Sequence, residues 1–355
     1  MTQAAALAAY GSNSPSNRNR IINGGMVFDQ RNAGASVTPA NADYTLDRWR
    51  SYLSQASKYS VQQNAGSVTP PAGFINYLGV TSLSAYSVGS SEFFSIQQFI
   101  EGFNVADLGW GTANAQAVTL SFKVYSSLTG TFGGVLQNDG QNRSYPFTYS
   151  IPTANTWTTI SVNVSGDTSG TWLTNSGRGI AIWFGLGAGS SLSGTAGTWA
   201  GATYFSATGA TSVVGTSGAT FYITGVQLEE GSVATPFETR QYGQELALCQ
   251  RYYWKNEATS TYFAYASGFS NTSTQAECYL KFAVRMRAAP TALHSGLRIR
   301  VTGASPAVTS LASNYASTDS TDIAFNVASG LSAGYGCIVQ NNGSTSNYIS
   351  FDSEL

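Results

Sequence analysis

Residues 117–127, AVTLSFKVYSS, decide the fold: Val118, Leu120, Phe122 and Val124 alternate with Thr119, Ser121 and Lys123. A period of two sends the apolar set to one face and the polar set to the other, which describes a strand half buried in an antiparallel sandwich. Similar runs recur in RSYPFTYSI (143–151), WTTISVNV (157–164), GIAIWFGL (179–186) and TFYITGVQLEEG (220–231). After residue 257 they continue in AECYLKFAV (276–284), LRIRVTGA (297–304), TDIAFNVAS (321–329) and YISFDSEL (348–355).

Composition agrees with this pattern. Of 355 residues only 10% are charged, 13% are aromatic, and glycine reaches 38. The surface is therefore built from Ser, Thr, Asn, Gln and Gly, of which Gly and the short polar and β-branched residues rank low as helix formers, and Gly, Asn and Ser favour turns. The expected class is all-β: an N-terminal jelly-roll β-sandwich over 21–240 and a smaller C-terminal β-sandwich over 257–355. A short helical connector at 241–256 joins them, with Leu246, Cys249 and Gln250 at helical spacing and Glu245 near its start, where the dipole favours an acid. Residues 1–20 form a separate polar leader, and the glycine-rich stretch 188–219 is expected to be ordered surface rather than linker.

Several function classes are disfavoured. A net charge of −1 gives no polybasic field for nucleic acid or anionic lipid. No apolar run of about 18 residues is present, so no membrane insertion is expected, and the first residues lack the order of a secretory signal. Cys249, Cys278 and Cys337 are far apart, odd in number and without CxxC spacing, which reads as buried free thiols. The sole histidine, His294, has no GxSxG context around it, and GLGAGSSLSG lacks the lysine of a phosphate loop. Most acids stand beside turns or arginines, as in LDRW (46–49), where an ion pair or a turn hydrogen bond explains them better than glycoside hydrolysis. The chain is expected not to be an enzyme and to need no cofactor or metal.

The segments NRIINGGMVFDQRNAGASVT, YTLDRW, ASKYSVQQ, IEGFNVADLGWG, FYITGVQLEEGSVATPFETRQYGQELALCQRYY and VRMRAAPT, in this order, resemble a family of tailed-bacteriophage tail-fibre and virion appendage proteins. The resemblance implies a virion protein, made in the host cytoplasm, whose jelly roll is similar to carbohydrate-binding modules. It also implies a homotrimer and an N-terminal peptide, residues 1–20 with Leu7 and Tyr10, that docks onto other phage virion proteins. Related modules often carry an Asp of a calcium site on the closing strand. This chain has Thr224-Gly225 there, so that site is not carried over.

Two functions follow as expectations. In the first, the chain is a receptor-binding tail fibre that recognises host surface polysaccharide. In the second, it is a structural appendage (head fibre, decoration or adaptor protein) that binds no glycan. For the first, flat aromatic rings stack on sugar faces while short polar side chains hydrogen-bond hydroxyls. The candidate contacts are Trp199 and Tyr204 in the long loop, with Trp172 and Trp183 beside them.

Overall fold

A computed structural model describes residues 18–355; Leu7 and Tyr10, the expected attachment residues, lie outside the described residues. Two compact units emerge. Unit 1 holds the described residues up to Val27, Gly34–Thr45 and Trp49–Thr239. Unit 2 holds Arg240–Leu355 and also takes in Phe28–Ala33 and Leu46–Arg48, which no linear division of the chain separates out.

The strands up to residue 230 are β1 (Tyr44–Leu46), β2 (Trp49–Leu53), β3 (Tyr59–Gln63), β4 (Leu78–Ser82), β5 (Phe93–Glu101), β6 (Val118–Ser126) and β7 (Gly130–Gln137). There follow β8 (Ser144–Ile151), β9 (Thr158–Val164), β10 (Arg178–Ala188), β11 (Ser193–Gly194), β12 (Ser206–Ala207) and β13 (Thr220–Glu230). One antiparallel sheet has the order β1-β2-β5-β10-β7-β8 and the other β3-β4-β13-β6-β9, the two layers of a jelly-roll sandwich. Val118, Leu120, Phe122 and Val124 of β6 are buried as their alternation requires. Between the layers, Phe122 meets Phe184 of β10 with ring centroids 5.1 Å apart, and Phe132 of β7 meets Phe221 of β13 at 6.2 Å.

Strand β10 departs from half-wet alternation: Gly179 through Gly187 are all buried. Its outer face is covered by the loop that follows, in which Phe205, Ser206 and Ala207 are buried. The glycines of GIAIWFGLGAG make this possible. A Cβ on Gly185 would stand 2.7 Å from Ser206 Oγ, and one on the neighbouring Gly133 of β7 would stand 2.6 Å from the same oxygen. Glycine at both positions lets the covering chain lie directly on the sheet.

The C-terminal stretch of unit 2 opens with helix α1 (Tyr242–Gln250), as the spacing of Leu246 and Cys249 predicts, but the helix belongs to this unit, and the last residues of the expected connector, from Tyr253, are strand. Its strands are β14 (Tyr253–Glu257), β15 (Ala264–Ser270), β16 (Gln275–Lys281), β17 (Thr291–Ser295), β18 (Leu297–Arg300), β19 (Val308–Ser313), β20 (Ser320–Val327), β21 (Gly336–Asn341) and β22 (Tyr348–Asp352). They form a three-stranded sheet β14-β22-β17 and a six-stranded sheet β18-β21-β15-β16-β20-β19. Ile349 and Phe351 from the smaller sheet share one core with Ile299, Ile323, Phe325 and Val339 from the larger. All three cysteines are free and buried. Cys278 and Cys337 both pair with Gly268 of β15, one from each side, and their Sγ atoms are 3.9 Å apart above it.

The two recruited stretches build a buried charge cluster. Arg31 pairs with Asp352 at 2.9 Å and with Glu354 at 3.2 Å, while Arg48 pairs with Glu354. Each guanidinium also covers a tyrosine ring, Arg31 over Tyr253 at 3.8 Å and Arg48 over Tyr252 at 3.5 Å. In LDRW, therefore, the arginine pairs with the chain's C-terminal end. Asp47 instead accepts hydrogen bonds from Gln30 Nε2 at 2.5 Å and Gln30 N at 3.2 Å, and burial raises its pKa from 3.8 to about 7.

Gly185→Ala should lower stability by about 1–3 kcal/mol in denaturant unfolding, and adding Ser206→Ala should restore part of that loss. Asp47 is a carboxyl whose folded-state pKa is raised, so the folded protein holds more protons than the unfolded chain between about pH 4 and pH 7. Its contribution to stability falls as pH rises through that window and levels off above it. Asp47→Asn should therefore gain on the wild type by up to about 1.4 kcal/mol per pH unit from pH 5 to 7; an advantage that shrinks with rising pH would contradict this assignment.

Candidate functional site

Three loops of unit 1 bring together tryptophans that lie far apart in the sequence. Trp110 follows β5, Trp172 precedes β10, and Trp199 stands between β11 and β12. Their rings meet edge to face, with centroids 4.7 Å apart for Trp110–Trp172, 5.4 Å for Trp110–Trp199 and 5.5 Å for Trp172–Trp199. Tyr145 of β8 adds a fourth ring, 5.2 Å from Trp199. Trp110 is buried, whereas Trp172 and Trp199 are half-buried and form the accessible part of the cluster.

Each indole N–H is committed to a backbone carbonyl: Trp110 to Gln116 at 2.7 Å, Trp172 to Ser169 at 3.1 Å and Trp199 to Ser165 at 2.8 Å. The rings are thereby fixed in orientation, and what they offer a ligand is apolar surface. Beneath them Arg143 Nε and Nη2 donate to the two oxygens of Asp167, both at 2.7 Å, in a bidentate pair. Asp167 Oδ1 also accepts from Ser169 N at 3.0 Å, which anchors the loop that carries Trp172. With its charges paired, the cluster is a rigid, locally neutral platform suited to the apolar face of a neutral ring.

Glycines shape the approach of these loops. Gly111, Gly170 and Gly197 all take positive φ, at 84°, 81° and 86°. At Gly111 a Cβ would also stand 2.8 Å from the Gly170 carbonyl oxygen and 3.2 Å from the Trp172 ring.

Of the four residues expected from the sequence, Trp172 and Trp199 come together. Tyr204 is half-buried elsewhere: its ring covers Gly194, where a Cβ would lie 2.4 Å away, and its carbonyl accepts from Gln137 Nε2 at 2.6 Å. Trp183 has a different role. It is 0% exposed on the covered outer face of β10, packed against Phe205 at 4.8 Å and Tyr52 at 5.3 Å, so it cannot touch a ligand. The reason is the loop 188–219, which closes over that face instead of displaying it.

Trp110, Tyr145, Arg143 and Asp167 belong to the site and were not anticipated. A signal was present: Gly-Thr-Trp occurs at 170–172 and again at 197–199, and Trp110 is flanked by Gly109 and Gly111. A tryptophan set behind a left-handed glycine in two separate loops marks rings brought to one place.

Neither a family model nor a curated protein matches the chain. Among solved structures, the enzymatically active domain of bacteriophage CBA120 tailspike protein 4 is similar over 61% of this chain and 22% of that one, with 13% identity and a TM-score of 0.35. TmCBM61, solved with β-1,4-galactotriose, is similar over 60% of this chain and 99% of its own, with 11% identity and a TM-score of 0.31. The tandem CBM22-1–CBM22-2 domain of Paenibacillus barcinonensis Xyn10C covers 91% of this chain and 97% of its own, with 10% identity and a TM-score of 0.28. None of these likenesses assigns a family or a ligand to this chain.

The Arg143–Asp167 pair is expected to hold the cluster's geometry. Asp167→Ala leaves a half-buried guanidinium without its carboxylate and should destabilise unit 1 by about 1–2 kcal/mol in denaturant unfolding. Tryptophan emission should shift to the red as the loops loosen. Unchanged stability and emission would show that the rings hold themselves in place.

Proposed function

We propose that this chain is a bacteriophage receptor-binding appendage of the tail-fibre type, which recognises host surface glycan and catalyses no reaction. The observation that carries the reading is the half-buried Trp172–Trp199 pair, held rigid by backbone hydrogen bonds over a neutralised Arg143–Asp167 pair. Such a surface binds through ring stacking at little entropic cost, because nothing in it needs to be ordered on binding. The motifs that resemble virion appendage proteins set this chemistry on a phage particle. There the chain assembles as a homotrimer through its β modules and attaches to other virion proteins by residues 1–20.

A second reading, a structural appendage without glycan binding, draws on a different observation. The outer face of the six-stranded sheet in unit 1 is covered at β10 and β7 by Phe205 and Ser206, which leaves no open sheet face there for a ligand. In that reading the Trp cluster is the packing core of a loop layer, and the chain's partners are phage proteins alone.

Binding of labelled full-length protein to host and non-host cells, with purified host surface polysaccharide as competitor, separates the two. The glycan reading predicts host-selective, competable binding that falls at least tenfold in Trp199→Ala while the thermal unfolding midpoint shows the variant still folded. A folded protein that binds no host cell supports the structural reading. Analytical ultracentrifugation should give a trimer, and a stable monomer at micromolar concentration would contradict the assembly.

A further inference from the structure

Unit 2 carries a second surface that the Trp cluster does not explain. On the outer face of its six-stranded sheet a groove of ≈ 530 Å³ is lined by Ser267 and Gly268 of β15, Gly336, Cys337 and Ile338 on β21, and the turn Arg300–Thr302. The volume lies within the range of small-ligand sites. Two exposed rings stand on the same face, each paired across the strands with a lining residue. Tyr279, 64% exposed, stands opposite Ser267, and Phe269, 50% exposed, stands opposite Gly336. A third ring, Tyr335, is 57% exposed beside Gly336 and faces Val301 and Thr302 across an adjoining pocket. Phe269 stands between Gly336 and Glu277, and Tyr279 between Ser267 and Asp322, so each ring has a small neighbour on the groove side and an acid on the other.

Arg300 is the one charged residue lining the groove, and its guanidinium has no hydrogen-bond or ion-pair partner among the described residues. The acids on the same face, Glu277 on β16 and Asp322 on β20, stand three and four strands away in the order β18-β21-β15-β16-β20. At about 4.8 Å per strand the nearer one is some 14 Å off, beyond the screening length of physiological salt. The Arg300 end of the groove is therefore positive although the chain's net charge is −1, and the acids lie at the far side of the two rings.

We propose that this groove binds a carboxylate-bearing saccharide, with the carboxylate on Arg300 and sugar rings against Tyr279 and Phe269. Arginine presents a planar fork that a carboxylate accepts in two bonds. Aromatic rings alternating with Ser267, Glu277 and Asp322 match a ligand that is apolar on one face and hydroxylated at its edge. The same interleaving breaks up the contiguous apolar patch that a second protein copy would need. The site shares with the proposed function only its class of ligand, and it stands on separate residues.

The test is an array of immobilised saccharides in matched pairs: trigalacturonic acid beside galactotriose, and sialyllactose beside lactose, probed with the labelled full-length protein and its variants. At least one acidic member should bind tenfold or more above its neutral partner, which also tells a uronate from a nonulosonate. That signal should fall at least tenfold in Arg300→Ala and Tyr279→Ala, both exposed changes that leave the core intact, and persist in Trp199→Ala. Silence on both acidic saccharides, or equal binding of the neutral partners, overturns the proposal. Loss in Trp199→Ala with Arg300→Ala unaffected also overturns it, while leaving glycan recognition by unit 1 standing.

Discussion

The first unit depends on covering both faces of one strand. β10 supplies Ile180, Ile182, Phe184 and Leu186 to the sandwich core and Ala181, Trp183 and Gly185 to the opposite face, and both faces are dry. A chain with 10% charged residues cannot leave such a strand to solvent on either side. The stretch from 188 to 219 is the answer: it folds back, places Phe205 against Trp183, and threads Ser206 over Gly133 and Gly185. Once that loop is fixed, Trp199 is delivered to Trp110 and Trp172, so the geometry of the candidate site is a consequence of how β10 is covered.

Unit 2 solves a different problem. A small sandwich with one three-stranded sheet has little apolar area to bury, and it draws in Phe28–Ala33 and Leu46–Arg48 as additional packing elements. The joint is ionic and aromatic: Arg31 and Arg48 each sit between a carboxylate near the C-terminus and a tyrosine ring from the Tyr252-Tyr253 pair. Burying such groups is costly unless every charge is matched. The matching of Arg31 to Asp352 and Glu354, and of Arg48 to Glu354, makes the arrangement tolerable while specifying one way of assembling it.

Much of the fold was legible because β structure writes itself in short-range pattern. The alternation in 117–127 located β6 and its buried face, and Leu246 with Cys249 located α1. What stayed hidden was long-range. Trp183 looked like a ring for display because nothing local in GIAIWFGL announces that the next thirty or so residues return to cover it. LDRW offers an ion pair or a turn hydrogen bond for its acid; Asp47 is hydrogen-bonded, to Gln30, and the carboxylate of Arg48, Glu354, is at the far end of the sequence. Trp199 is legible as an aromatic loop residue; Trp172 reads as a ring on a neighbouring strand but stands in the loop before β10, and nothing singles out Trp110, Arg143 and Asp167. Their association depends on three loops meeting, and only the repeated Gly-Thr-Trp carried a trace of it.

If the Trp cluster of unit 1 contacts host glycan, as proposed, bound polysaccharide must shield its loops. Hydrogen–deuterium exchange of the full-length protein, with and without purified host surface polysaccharide, tests this without disturbing the cluster. Added protection confined in unit 1 to the loops around 165–173 and 195–201 is the predicted result. Exchange in those loops that is unaltered at saturating polysaccharide would contradict it.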